Sequence, residues 1–333
     1  MGKHSIVKFS TFVAIWCCLI LAVGLKPLGI ASGQASPGVV SGKFLNPSQV
    51  ALLQWYPANL TTSVQVGSGP YGVAFDGANI WVANNASNTV TKVRANDGAL
   101  LGNFAVGSFP WGVAFDGANI WVTSQAGAGV TKLRAEDGTL LGTFASGTPA
   151  DGIVFDGTNI WLANFNNDTV SKLRASDGKI LATYPVGSYP SFMAFDGANV
   201  WVANFNSNNV SKLRAQDGKS LGTFAVGANP IGICFDGVNM WVSNVNSNSV
   251  TKLRASDGNV GGTFAVGTSP WGVAFDGSNI WVANHSGGNV TKLNAASGTV
   301  LGNFSVGTTP FGIAFDGANV WVANYNSNTV SKL

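Results

Sequence analysis

The sequence predicts an all-β protein: a seven-bladed β-propeller with four-stranded blades of 40 residues, closed into a ring by an N-terminal outer strand. Three observations carry this expectation. Phe-Asp-Gly recurs at Phe75, Phe115, Phe155, Phe195, Phe235, Phe275 and Phe315 with a constant spacing of 40 residues, and Trp keeps the same period from Trp81 to Trp321. No insertion or deletion interrupts the units, so seven supersecondary modules lie end to end. Each unit contains four short apolar runs separated by turn residues, and the two chain ends are complementary fragments of one unit.

The second unit shows the elements in order. Gly112–Phe115 reads as strand a, and Asp116-Gly-Ala-Asn119 as a turn rich in residues that tolerate positive φ. Ile120–Val122 is strand b, apolar at consecutive positions, which implies neighbours on both of its faces. A polar, Gly-rich stretch from Ser124 to Ala128 precedes strand c at Val130–Arg134. Glu136-Asp-Gly138 forms the next turn, and Leu141–Ala145 is strand d. No apolar helical period runs through 11 or more residues of the repeats. A module that cannot cover its own faces must stack on another, and radial stacking of four-stranded units builds a propeller.

The last unit stops at Leu333, after strand c. Shifting Gly102-Asn-Phe-Ala-Val-Gly107 back by one period places a lone strand d at Thr62–Gly67. Pairing that strand with the C-terminal strands would remove two exposed sheet edges. The phrase from Trp201, WVANFNSNNVSKLRAQDGKSLGTFAVGANPIGI, resembles the YVTN-type repeat of bacterial and archaeal β-propellers and, at greater distance, NHL-repeat propellers. The resemblance covers 54–333, with Trp where the family phrase begins with Tyr. It implies a propeller scaffold for binding or surface roles.

The chain divides into a leader at 1–35, a linker and lead-in segment at 36–53, and the propeller at 54–333. Lys3 and Lys8, the apolar run Phe9–Leu25 and the small and polar residues after Gly29 form the pattern of a secretory signal, with cleavage expected near Ala31–Ala35. A secreted, periplasmic or cell-surface location follows, with membrane attachment only through an uncleaved leader. Pro47–Tyr56 reads as a short helix packed on the ring. The full chain carries a formal net charge of +3, and losing Lys3, Lys8 and Lys26 with the leader balances its basic and acidic residues. No basic stripe remains to bind nucleic acid. Cys17 and Cys18 lie in the leader, which leaves Cys234 alone in a slot held elsewhere by Ala, so no disulfide framework is expected.

Because a residue needed by every blade appears seven times, the singular residues mark candidate function. The d–a and b–c loops share one face of the ring, and there the letters change. The mouth of strand a reads Tyr71, Trp111, Asp151, Ser191, Ile231, Trp271 and Phe311; Phe109 and Tyr189 stand just before it. The b–c loops add Phe165, Phe205, Val245, His285 and Tyr325. Exposed aromatics among Asn, Ser and Gly suit stacking on sugar rings or burial of peptide side chains. Ligand-binding candidates are therefore Tyr71, Phe109, Trp111, Asp151, Phe165, Tyr189, Phe205, Trp271, His285, Phe311 and Tyr325. Their alternative is packing between blades.

The inventory for catalysis is small. Beyond the leader His285 is the single His and Glu136 the single Glu. The Asp76-type and Asp97-type series sit in Asp-Gly turns, where a carboxylate bonds local backbone. Asp151 and Asp168 share the third blade, and a divalent cation would find its candidates there; no other cofactor is expected. The repeat style is similar to that of virginiamycin B lyases, which implies a metal-assisted lyase using several His and Glu residues, a set this sequence lacks. Leu173–Lys179 is similar to the blade motif of pyrroloquinoline quinone dehydrogenases, but Tyr184 or Phe stands where those carry Trp. Three readings remain: an exported non-enzymatic propeller binding a peptide, glycan or protein partner on its aromatic face; a metal-assisted lyase or hydrolase using Asp151, Asp168 and His285; and a self-associating surface component.

Overall fold

The computed structural model describes residues 63–127 and 129–333. The leader, the linker and the helix expected at Pro47–Tyr56 lie outside them. Within them the chain forms seven four-stranded antiparallel sheets arranged as the blades of a propeller. In blade one the strands are Pro70–Phe75 (a), Asn79–Asn84 (b), Thr89–Arg94 (c) and Leu100–Ala105 (d), hydrogen-bonded in that order. Blade seven takes its outer strand from the other end of the chain: Ser63–Gln65 pairs antiparallel with Thr329–Lys332, with Val64 opposite Val330. Ring closure by an N-terminal strand d is therefore observed.

The strands run further than their apolar letters indicate. In blade two strand a spans Ser108–Phe115 and strand b Asn119–Ala126. The extension crosses a bulge between Pro110 and Val113, since the proline has no N–H to continue the ladder. Two three-residue 3-10 turns, Val245–Ser247 and Tyr325–Ser327, are the helical elements among the described residues.

Hydrophobic packing runs between blades. Trp81, Ala83 and Val90 of blade one form one cluster with Ile120, Val122 and Leu133 of blade two. The same contact closes the ring, where Val64, Trp321 and Val330 meet Ile80, Val82 and Val93. Strand b is buried along nearly its whole length, while strand d alternates exposed and half-buried residues at the rim.

One polar device recurs in every blade. The Trp81 indole N–H donates to Asp76 Oδ2 at 2.7 Å, while Asp76 Oδ1 accepts from the backbone N–H of Ala78 at 2.9 Å and Asn79 at 2.6 Å. For the blade-two copy, burial disfavours the ionised Asp116, but the Trp121 indole and the amides of Ala118 and Asn119 outweigh it and hold the carboxyl below its ordinary range. The carboxylate thus fixes the turn and satisfies a buried indole at once. The lysine of strand c links blades: Lys92 Nζ lies 5.2 Å from the Trp81 ring centre and donates to the carbonyls of Ala135 and Glu136 in blade two. Lys332 closes this series on Ala95 and Asn96 of blade one.

Candidate functional site

The face bearing the d–a and b–c loops is set by backbone contact around the channel. A Cβ added to Gly72 would stand 2.1 Å from the Trp111 carbonyl oxygen; on Gly152 it would stand 2.2 Å from that of Ser191, and on Gly312 2.2 Å from that of Tyr71. Strand a of each blade therefore abuts the mouth residue of the next, and the seven mouth residues converge. Side chains at this level have nowhere to go but across the channel opening or up from it. Beneath them is a cavity of about 130 Å³ whose wall includes Gly72, Ile153, Phe192, Ile233, Trp271 and Ile313.

The aromatic candidates gather into two groups. Tyr71 packs tilted against Trp111, with ring centres 3.6 Å apart, and stacks on Phe311 at 4.2 Å. Trp271 meets Phe311 edge-on at 4.9 Å, His285 packs 4.6 Å from Phe311, and Tyr325 lies 5.5 Å from Phe311. The second group is centred on Tyr189, 5.3 Å from Phe165 and 5.7 Å from Phe205. Phe109 stands apart and exposed. The expectation of exposed aromatics is corrected for two of them: Tyr71 and Phe311 are only 2% and 8% exposed, because they stack on each other in the opening between Trp111 and Trp271. Four of the seven mouth positions are thereby aromatic, and blades three, four and five place Asp151, Ser191 and Ile231 there, which are also buried.

Phe109 and Tyr189 have φ of 52° and 58°, left-handed conformations that are uncommon for bulky residues. Each donates its N–H to a side chain of the preceding b–c loop: Phe109 to Asn88 Oδ1 at 2.9 Å, and Tyr189 to Asp168 Oδ1 at 2.8 Å. Asn208 makes the same bond to Asn229 in the next blade. Asp168 is therefore a turn-locking residue in an Asn slot.

Asp151 differs. It is 2% exposed, with Oδ1 accepting from Gln125 Nε2 at 2.6 Å. Burial pushes its carboxyl up to about 7, against the lowering effect of Gln125. Burial, with Asp151 adding to it, also raises the hydroxyls of Tyr71 and Tyr189, so both lie within reach of its charge. Burial lowers His285, whose Nδ1 pairs with Ser286 Oγ. Four polar atoms around the mouth are buried without a well-formed hydrogen bond, Tyr71 Oη, Trp111 Nε1, Ser191 Oγ and Trp271 Nε1, and of these the Trp271 indole stands close enough to the Tyr71 hydroxyl to lower it. Such groups are costly to leave unpaired.

Sequence reasoning passed over Gln125 and Ser191 as site residues. A signal was present: blade three moves its proline one position earlier, to Pro149, and places Ser146 where Val106 and Val186 stand in other blades. Ser146 Oγ then donates to the Thr148 carbonyl at 2.6 Å, and strand a of blade three shortens to Ile153–Phe155 with no bulge. The rebuilt loop carries Asp151. Asp151 and Asp168 both neighbour Tyr189, but no group of three or more His, Cys, Asp or Glu side chains among the described residues is arranged to hold a metal ion.

No family model matches the sequence, and no curated protein matches it. Among solved structures the chain is similar to a streptogramin B lyase, with 22% identity over 81% of this chain and 95% of that one at a TM-score of 0.69. A catalytically inactive virginiamycin B lyase from Staphylococcus aureus with quinupristin matches at 20% identity, over 81% and 97% of the two chains, at 0.70. A Kuenenia stuttgartiensis hydrazine synthase matches at 18% identity, over 81% and 96%, at 0.71. At these identities the likeness establishes the seven-bladed fold that the three share with this chain.

Proposed function

We propose that the protein is an exported, non-enzymatic binding propeller of the YVTN type that captures a peptide, glycan or protein partner on the face carrying the d–a and b–c loops. One observation carries the reading: large aromatic rings and unpartnered buried polar atoms of Tyr71, Trp111, Ser191 and Trp271 meet around one opening. Unpartnered acceptors recur in the scaffold, at strand-b asparagines such as Asn84 and Asn204, whereas the unpartnered donors of the mouth are singular residues that a ligand would pair. The opposite face is built from repeated Asp-Gly turns and five exposed Arg–Asp pairs such as Arg94–Asp97, which contribute little individually. Export is supported by the charged and apolar N-terminal pattern of the sequence. A metal-assisted lyase reaction would require donors gathered at one point, and no three His, Cys, Asp or Glu side chains among the described residues are so grouped.

The test is an array of glycans and peptides probed with the protein and with a folded Trp111→Ala, Trp271→Ala double variant. Ligands retained by the protein and lost by the variant support the reading; an array on which the two behave alike overturns it. One observation favours a second reading, self-association. Strand d begins with exposed apolar pairs, among them Leu100 and Leu101, Leu140 and Leu141, and Val300 and Leu301. Concentration-dependent sedimentation would reveal it.

A further inference from the structure

Seven strands packed side by side around an axis leave a gap along it, and the sequence decides what lines that gap. The cavity of about 130 Å³ beneath the mouth is walled by strand a of all seven blades. Among the described residues that form the wall none is charged, and the Trp271 indole carries its one side-chain heteroatom. Two positions of strand a supply most of the surface. At the first, six blades carry Gly and blade four carries Phe192. Its mouth residue is the small Ser191, so in this blade the bulky side chain stands one residue deeper, in the channel. At the second position blades one, two and six place Val73, Val113 and Val273, where blades three, five and seven place Ile153, Ile233 and Ile313. The glycines make room for this layer: a Cβ on Gly112 would stand 3.0 Å from Ile153 Cγ2, and one on Gly272 3.0 Å from Ile313 Cγ2. The Gly112 and Gly232 amides donate to Thr123 Oγ1 at 2.8 Å and Ser243 Oγ at 2.9 Å, on their own strands b and away from the axis.

We infer that this axial cavity binds a small, uncharged aromatic hydrocarbon, with the Val and Ile layer as its side wall and Phe192 and Trp271 as its aromatic contacts. The site is distinct from the partner-binding face, and it stands or falls independently of the reading above. Its size matches the guest: a protein cavity of about 150 Å³ lined by Leu, Ile and Phe stays dry and takes up benzene. Water is a poor occupant, because it needs roughly two to four polar partners and the side chains of this wall offer one N–H. A hydrocarbon instead gains dispersion contact on every side, and an aromatic one adds ring contacts with Phe192 and Trp271. A charged guest would meet no counter-charge. Asp151 and His285 lie outside the wall, and lysines such as Lys92 and Lys132 are bonded to the c–d turns of the next blade on the opposite face.

Toluene and N-methylpyridinium have the same shape and differ by one charge, so calorimetric titration of the full chain with each tests the site. The expected result is saturable toluene binding with a Kd of about 1 mM or tighter, and at least tenfold weaker binding of N-methylpyridinium. The double variant Val73→Ile, Val273→Ile narrows the cavity with the residue that blades three, five and seven already bear in this layer, so it should fold and lose toluene at least tenfold. Phe192→Gly restores the residue of the other six blades and enlarges the cavity, and should admit naphthalene where the native chain does not. Phe165→Ala, at the mouth and outside the wall, should leave toluene binding unchanged. Silence of the native chain in toluene-saturated buffer, or equal binding of the cation, would overturn the site. Toluene lost in Phe165→Ala and kept in the double variant would also overturn it, by moving the guest to the mouth. Toluene bound in the channel by a protein that retains nothing on the glycan and peptide array would leave the site standing while the partner-binding reading falls.

Discussion

Asp151→Asn should change how stability depends on pH while leaving the fold intact. The Asp151 carboxyl is pushed up from 3.8 to about 7 by burial, and an Asn there still accepts from Gln125 and is never charged. Between about pH 4 and 7 the folded chain keeps a proton that the unfolded chain has lost. Folding is then linked to proton binding, so this contribution is fully present below the unfolded pKa and disappears as the pH rises through the folded one. A shift of about three units corresponds to about 4 kcal/mol, and the stretch from pH 5 to 8 captures about 3 kcal/mol of it. Denaturant unfolding of both proteins at pH 5 and pH 8 measures it. Burial lowers His285, which gives an opposite slope, but both proteins contain that residue and the difference between them isolates Asp151. The variant should gain about 3 kcal/mol on the wild type over this interval. Parallel pH profiles would refute the claim that the carboxylate is desolvated and unpaired by a cation.

Three other outcomes are expected. Asp116→Ala leaves the buried Trp121 indole N–H without its 2.7 Å acceptor and frees the turn, and should cost about 2–3 kcal/mol in equilibrium unfolding. Gly72→Ala drives a Cβ toward the Trp111 carbonyl and should destabilise by about 1–3 kcal/mol, whereas Gly77→Ala, where the added carbon meets nothing within 4 Å, suffers only the backbone penalty of its φ of 97°. Lys332→Met removes both hydrogen bonds that carry strand c of blade seven onto blade one, and should cost about 1–3 kcal/mol and speed protease access to the N-terminal strand.

Much of the fold was legible because a 40-residue period leaves little freedom. The Asp-Gly turns, the doubly covered strand b and the complementary chain ends each have a local chemical cause, and all three appear as expected. Strand lengths were less legible, since Pro110 hides a strand a that resumes its ladder on both sides of a bulge. Lys92 illustrates another limit. Its letter reads as a solvated charge, yet it is buried at 6% exposure over Trp81 and bonded to carbonyls of the next blade, a partner 43 residues away that no local pattern names. At the site, periodicity located the variable face. It did not show which mouth residues stack, because that depends on which rings meet across the channel. Asp151 was visible as a singular letter; its burial and its bond to Gln125 came from the neighbouring blade.

Comparing the two faces of the ring tests whether recognition lies at the aromatic mouth. A ligand selected on the array would be titrated against the wild type, against Trp111→Ala, Trp271→Ala at the mouth, and against Arg134→Ala, Arg174→Ala on the opposite face, each checked for folding. Affinity lost only in the mouth variant is the predicted result. Affinity lost in the opposite-face variant, or kept in both, would contradict the placement of recognition at the aromatic mouth.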